Sequence, residues 1–88
     1  MKDYTMKNIK RTLNDLHPGE EAVIAGYANE ISDQFRLLEM GLIVGSKVKF
    51  IKNAPFGDPI QIRLRGYDLS LRRNLAKGIL LANPLSMS

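Results

Sequence analysis

The sequence predicts a small, mainly β barrel with one short helix in its first long loop. Two observations carry this. From Lys47 to Arg72 apolar and polar residues alternate with a period of two, interrupted by turn-forming residues; ahead of them an apolar pattern of helical spacing stops at Gly41. A period of two buries one set of side chains and solvates the other, whereas helical spacing marks one face of a helix. The 88 residues, 44% of them hydrophobic, fit one domain with one core. Such a chain buries roughly 60 to 65% of its unfolded surface and has a stability of about 4 to 13 kcal/mol.

Taken in order, the first strand is predicted over Ala22 to Tyr27. It follows the His17-Pro18-Gly19 turn, where proline cannot donate to a ladder and glycine tolerates positive φ. Ser32 is placed as the N-cap of the helix, with Asp33 in the first turn, where negative charge suits the dipole. Phe35, Leu38 and Leu42 recur at helical spacing and are assigned to the core. Gly41 ends the helix in the left-handed conformation, and Leu42 folds back on the last turn in a Schellman ending. Beyond Gly45, Val48 and Phe50 alternate with Lys47 and Lys49. After the Pro55 to Pro59 turn, Ile60, Ile62 and Leu64 alternate with Gln61, Arg63 and Arg65. Gly66-Tyr67 is read as a type II′ hairpin turn, returning the chain through Leu69 and Leu71. A single turn around Asn74 to Lys77 precedes a last strand from Gly78 to Ala82. Five short strands with one helix in the first long loop make an SH3-like barrel, which manages exposed edges by curling. The domain is expected over residues 12–83, between a loosely held extension over 1–11 and a tail over 84–88.

Composition removes several functions. There is no cysteine, hence no disulfide, thiolate metal site or thiol nucleophile. No run of about 18 apolar residues appears, and the start MKDYTMKNIKRTL lacks the apolar stretch of a signal peptide, so a cytoplasmic chain without a membrane span is expected. His17 is the only histidine, which leaves no catalytic triad to assemble. Charge is uneven: Met1 to Ser46 carries five basic and seven acidic residues, and Lys47 to Lys77 eight basic and two acidic, or −2 against +6. The second half therefore reads as a basic sheet that could attract nucleic acid, anionic lipid or an acidic protein surface.

The candidate sites are surfaces. Lys47, Lys49, Arg63 and Arg65 are placed on the solvent face of the sheet, together with Lys52, Arg72 and Arg73. Nucleic-acid binding would need exposed aromatics among them, and only Tyr67 is offered, so nucleic acid is disfavoured. Leu37, Leu38, Met40, Leu42 and Ile43 are more apolar residues than one face of a nine-residue helix needs. Leu37, Met40 and Ile43 are therefore held as partner contacts. Phe56, at the apex of Ala54 to Pro59, would make an aromatic anchor. Gly57-Asp58-Pro59 lacks the lysine and helix of a phosphate loop. His17 reads as a surface turn residue; as a metal ligand it would have to recruit Glu20 or Glu21, at a spacing unlike zinc or iron sites. No cofactor is expected, and weak binding of Fe(II) or another transition metal stays open.

Several stretches resemble one family. Met40-Gly41-Leu42, Gly45, Ala54-Pro55, Gly57-Asp58-Pro59-Ile60 and Gly66-Tyr67-Asp68-Leu69-Ser70-Leu71-Arg72, with Leu13-Asn14-Asp15-Leu16-His17-Pro18-Gly19-Glu20 upstream, are similar to the FeoA family of small bacterial proteins that accompany the FeoB ferrous iron transporter. The resemblance covers about residues 12 to 82 and implies an SH3-like fold. It also implies a non-enzymatic role in ferrous iron uptake, acting on the cytoplasmic GTP-binding portion of FeoB rather than carrying iron. Two rivals stand beside it: a small basic barrel binding nucleic acid, and a metal-binding or sensing module related to repressor C-terminal domains. The extension to about Arg11 and the segment Asn29-Glu30-Ile31-Ser32 depart most from the family pattern.

Overall fold

The computed structural model describes residues 11–82, so the tail over 84–88 and all of the extension except Arg11 lie outside the described residues. A 3-10 turn, Leu13–Asp15, leads into β1 (Glu21–Tyr27), α1 (Ile31–Glu39), β2 (Lys47–Asn53), β3 (Ile60–Leu64), β4 (Tyr67–Leu71), α2 (Arg73–Ala76) and β5 (Ile79–Leu81). The strands form one antiparallel sheet in the order β4-β3-β2-β1-β5. Register shifts at Ile24/Gly26 in β1 and Phe50/Lys52 in β2 interrupt the ladders, and such bulges bend a strand and increase its twist. Both edge strands then contribute to one core. Leu71 of β4 and Ile79 and Leu81 of β5 join Leu13, Leu16, Ile24, Leu37, Leu42, Val48, Phe50, Ile60, Ile62 and Leu64 in a single buried cluster. Alternation in β2 and β3 places Val48, Phe50, Ile60, Ile62 and Leu64 as the period of two predicts.

The helix end also follows the sequence. Gly41 has φ +91°, its N–H donates to Leu38 O at 3.0 Å, and the Leu42 N–H donates to Leu37 O at 3.0 Å. These are the two bonds of a Schellman ending. Two tyrosines secure the same segment from the sheet. Tyr27 donates its hydroxyl proton to Leu42 O at 2.5 Å, and Tyr67 donates to Met40 O at 2.9 Å.

Four expectations are corrected. The helix begins two residues earlier, with Glu30 as N-cap and Ser32 inside it, and Gln34 Nε2 donates to Asn29 O at 2.8 Å. The helix presents a different face than its spacing suggested: Leu37 is fully buried, while Phe35 is 63% and Leu38 43% exposed. The β3–β4 turn is Arg65-Gly66, with φ of 53° and 87°, flanked by the pair Leu64 and Tyr67. Two successive positive φ values make it type I′, whose twist matches that of the strands, and Tyr67 and Asp68 belong to β4. The turn after β4 is a short helix, α2.

Gly78 matters for packing. It is buried, its carbonyl accepts from the Ala28 N–H at 2.6 Å, and a Cβ there would collide with the carboxamide of Asn29, whose Nδ2 donates to Leu75 O at 3.2 Å. Gly78→Ala is therefore expected to destabilise the domain by about 2 kcal/mol, a typical overpacking cost. Chemical denaturation of Gly78→Ala in the wild-type and Asn29→Ala backgrounds checks it, since the smaller neighbour should recover most of the loss.

Candidate functional site

Lys47 and Lys49 on β2, Arg63 on β3 and Arg65 in the following turn come together as expected. With Glu21 and Val48 they line a shallow groove of about 290 Å³. Lys49 pairs directly with Arg63 across the sheet, and the row continues to Glu21 on β1 and Asp68 on β4. Cross-strand neighbours on one face lie close enough for their charges to interact. The face is accordingly not uniformly basic. Arg63 donates to Asp68 through Nε at 2.6 Å and Nη2 at 3.1 Å, and Gln61 Nε2 donates to the same carboxylate at 2.8 Å. Lys47 Nζ lies 3.7 Å from Glu21 Oε1, and Arg65 Nη2 donates to Ser46 Oγ at 3.4 Å. Two cations in the centre of the row, with a carboxylate at each end, leave a positive groove that suits a partner offering a few carboxylates. The only aromatic expected among these charges, Tyr67, has its hydroxyl engaged by Met40 O.

The hydrogen bond from Arg63 holds the Asp68 carboxyl below its ordinary value, with the Gln61 bond adding to it. The same bond raises Arg63. Glu20 is likewise lowered, first by the His17 backbone N–H, which donates to Oε1 at 2.7 Å, and then by Arg11 nearby. A carboxylate lowered in the folded state stabilises the fold above its unfolded value and loses that contribution as pH falls through the folded value. The unfolding midpoint should thus stay level from neutral pH and begin to fall as pH drops below the ordinary values of 4.5 for Glu20 and 3.8 for Asp68. Thermal melts across this range check it, and Asp68→Asn should flatten the lower part of the decline.

His17 lies in the expected turn, its side chain 81% exposed. Among the described residues no group of three or more histidine, aspartate or glutamate side chains could hold a metal ion. Of the apolar candidates, Leu37 is buried and cannot touch a partner in the folded chain. Met40 is half-buried against the core, Ile43 is 37% exposed and Phe56 98% exposed. Among the described residues, Ile31, Phe35 and Leu38 along α1, with Ile43 and Val44 after it, form an exposed apolar strip. Arg73, placed by the sequence on the solvated face, is instead partly buried and bonded to the loop between β2 and β3 and to the 3-10 turn. The pattern does not reveal this, because two adjacent arginines end the alternation of Leu69, Ser70, Leu71 and Arg72 and read as the start of a solvated turn. Its one sequence signal is its place at the start of a helix too short to be recognised.

The family model of the FeoA domain matches residues 11–83. The chain belongs to the FeoA family. A curated relative, the Fe(2+) transport protein A/Fe(2+) transporter FeoB fusion protein of Porphyromonas gingivalis (strain ATCC BAA-308 / W83), is 37% identical over 67 residues. That match spans 76% of this chain and 8% of the relative's length. Among solved structures, the FeoA-like protein of Clostridium acetobutylicum superposes with a TM-score of 0.79 at 34% identity, covering 86% of this chain and 88% of that one. FeoA of Stenotrophomonas maltophilia complexed with zinc, described as a procaryotic SH3 domain protein, has a TM-score of 0.68 at 26% identity, covering 82% of this chain and 89% of that one. The five-stranded sheet of this FeoA domain is therefore of the SH3-like kind anticipated from its alternation.

Proposed function

We propose that this chain is a non-enzymatic accessory module of bacterial ferrous iron uptake that works in the cytoplasm by docking on the GTP-binding portion of a FeoB-type transporter. The observation that carries the reading is the Porphyromonas relative, where a domain of the same family and the transporter are parts of one protein. Fusion holds two partners at high effective concentration, so a separate chain doing the same work needs a docking surface of its own. Two such surfaces are available: the apolar strip of Ile31, Phe35, Leu38, Ile43 and Val44, and the groove of Lys47, Lys49, Arg63 and Arg65 with its acidic ends. No helix among the described residues is long and apolar enough to cross a membrane.

Retention of the chain on an immobilised cytoplasmic domain of the transporter tests the reading. Lys49→Glu/Arg65→Glu should remain folded, since Lys49 is only half-buried and Arg65 is exposed, and should be retained weakly. Arg63 is left in place because its removal would strand Asp68. Wild-type chain that passes through unretained, yet shifts mixed RNA or DNA in a salt-dependent way, would replace the adaptor with the nucleic-acid reading.

A further inference from the structure

The Arg73 guanidinium ties together segments far apart in the chain. Nε donates to Gly57 O, Nη2 to Asn53 Oδ1, and Nη1 to Asn14 Oδ1 at 2.7 Å and Asn14 O at 3.4 Å. Its Cζ lies 6.0 Å from the centroid of the Phe50 ring, within the range of a cation–π contact. The Arg73 N–H donates to Asp58 Oδ1 at 3.0 Å. The loop 54–59 adds its own bonds, Ala54 N–H to Pro59 O at 3.0 Å and Gly57 N–H to Ala54 O at 2.7 Å. Its base, its far limb and its tip are thus all fixed.

What the loop holds out is Phe56, 98% exposed. The ring gives nothing to the core, so the bracing around it is not explained by packing of this domain. An aromatic side chain on an ordered support loses little conformational freedom on binding, and such residues dominate hot spots. Charge describes the partner further. Lys52 and Arg72 are exposed at the foot of the loop, while the one acid of the loop, Asp58, is turned to the Arg73 N–H. We propose that Arg73 is a positioning residue that holds Phe56 ready for a ring-sized apolar pocket with an acidic rim on the transporter's cytoplasmic portion. The partner in this assignment rests on the function proposed above; the bracing does not.

Two measurements test the two halves. In the free chain, backbone amide relaxation should give Phe56 and Gly57 order parameters of about 0.85, as in a rigid backbone, falling below about 0.6 in Arg73→Met with the sheet resonances unmoved. Asn53→Ala, which removes one brace, serves if Arg73→Met does not fold. A tip already disordered in the wild type, or still ordered in the variants, overturns the positioning role. On the cytoplasmic domain, Phe56→Ala should weaken binding about tenfold or more. Arg73→Met should do nearly the same, and the double variant should be no weaker than Phe56→Ala, since both changes remove one contact. Additive losses overturn the coupling. Binding indifferent to Phe56→Ala overturns the pocket alone, whereas a wild type that does not bind removes the transporter reading and the pocket together while the relaxation result stands. Association of the wild type with phosphatidylglycerol vesicles, lost in Phe56→Ala, would assign the ring to lipid and overturn the protein pocket.

Discussion

Gly41→Val is expected to lower the stability of the domain by roughly 2 to 4 kcal/mol, a large part of what a chain of this size has. Two independent costs combine. Gly41 sits at φ +91°, where a β-branched side chain is strained. A Cβ there would also lie 2.8 Å from the Tyr67 hydroxyl and 3.4 Å from Leu64 Cδ2. Moving Tyr67 aside breaks its bond to Met40 O, and moving the chain aside breaks the Schellman bonds of Gly41 and Leu42. Urea denaturation measures the loss, and Tyr67→Phe separates the causes. Without the hydroxyl the steric part of Gly41→Val should shrink while the backbone strain persists. A midpoint unchanged by Gly41→Val would contradict the left-handed ending.

How much of this was legible in the sequence depended on what each signal constrains. Alternation in β2 and β3 constrains side-chain direction directly, so it points Val48, Phe50, Ile60, Ile62 and Leu64 to the core and Lys47, Lys49, Arg63 and Arg65 to the other face, as the structure has them. Helical spacing in α1 constrains much less. In nine residues several faces are apolar enough to be read as the buried one, and Phe35 with Leu38 made the wrong one look right. The information that resolves it was nevertheless present at Gly41. In a Schellman ending the residue after the glycine returns to the third residue before the cap, and with Leu42 in that role the third residue is Leu37. The left-handed ending at Gly41 thus turns Leu37, and not Leu38, to the core. The turn at Arg65-Gly66 failed differently: a glycine serves either type I′ or type II′ turns, and only the pairing of Leu64 with Tyr67 decides which two residues stand between the strands. Arg73 was illegible because its partners Asn14, Asn53 and Gly57 are brought together only by the fold.

The same disagreement over α1 supplies the second large effect. Leu37→Glu is expected to abolish cooperative folding, whereas Leu38→Glu, one residue away, should fold normally. Leu37 has no exposed surface, and its neighbours in the core cluster are all apolar. A carboxylate there has neither water nor a cation, a cost of several kcal/mol added to the lost packing of a leucine. That sum matches or exceeds the stability of about 4 to 13 kcal/mol expected for 88 residues. Leu38 is 43% exposed, so a glutamate in its place keeps its hydration and disturbs stability little. Circular dichroism and thermal melts of the two variants distinguish them. Collapse of Leu38→Glu with survival of Leu37→Glu would show that α1 is rotated from the face described. A folded Leu38→Glu then becomes a probe of the apolar strip, because weaker retention on the transporter's cytoplasmic domain can be assigned to the contact itself.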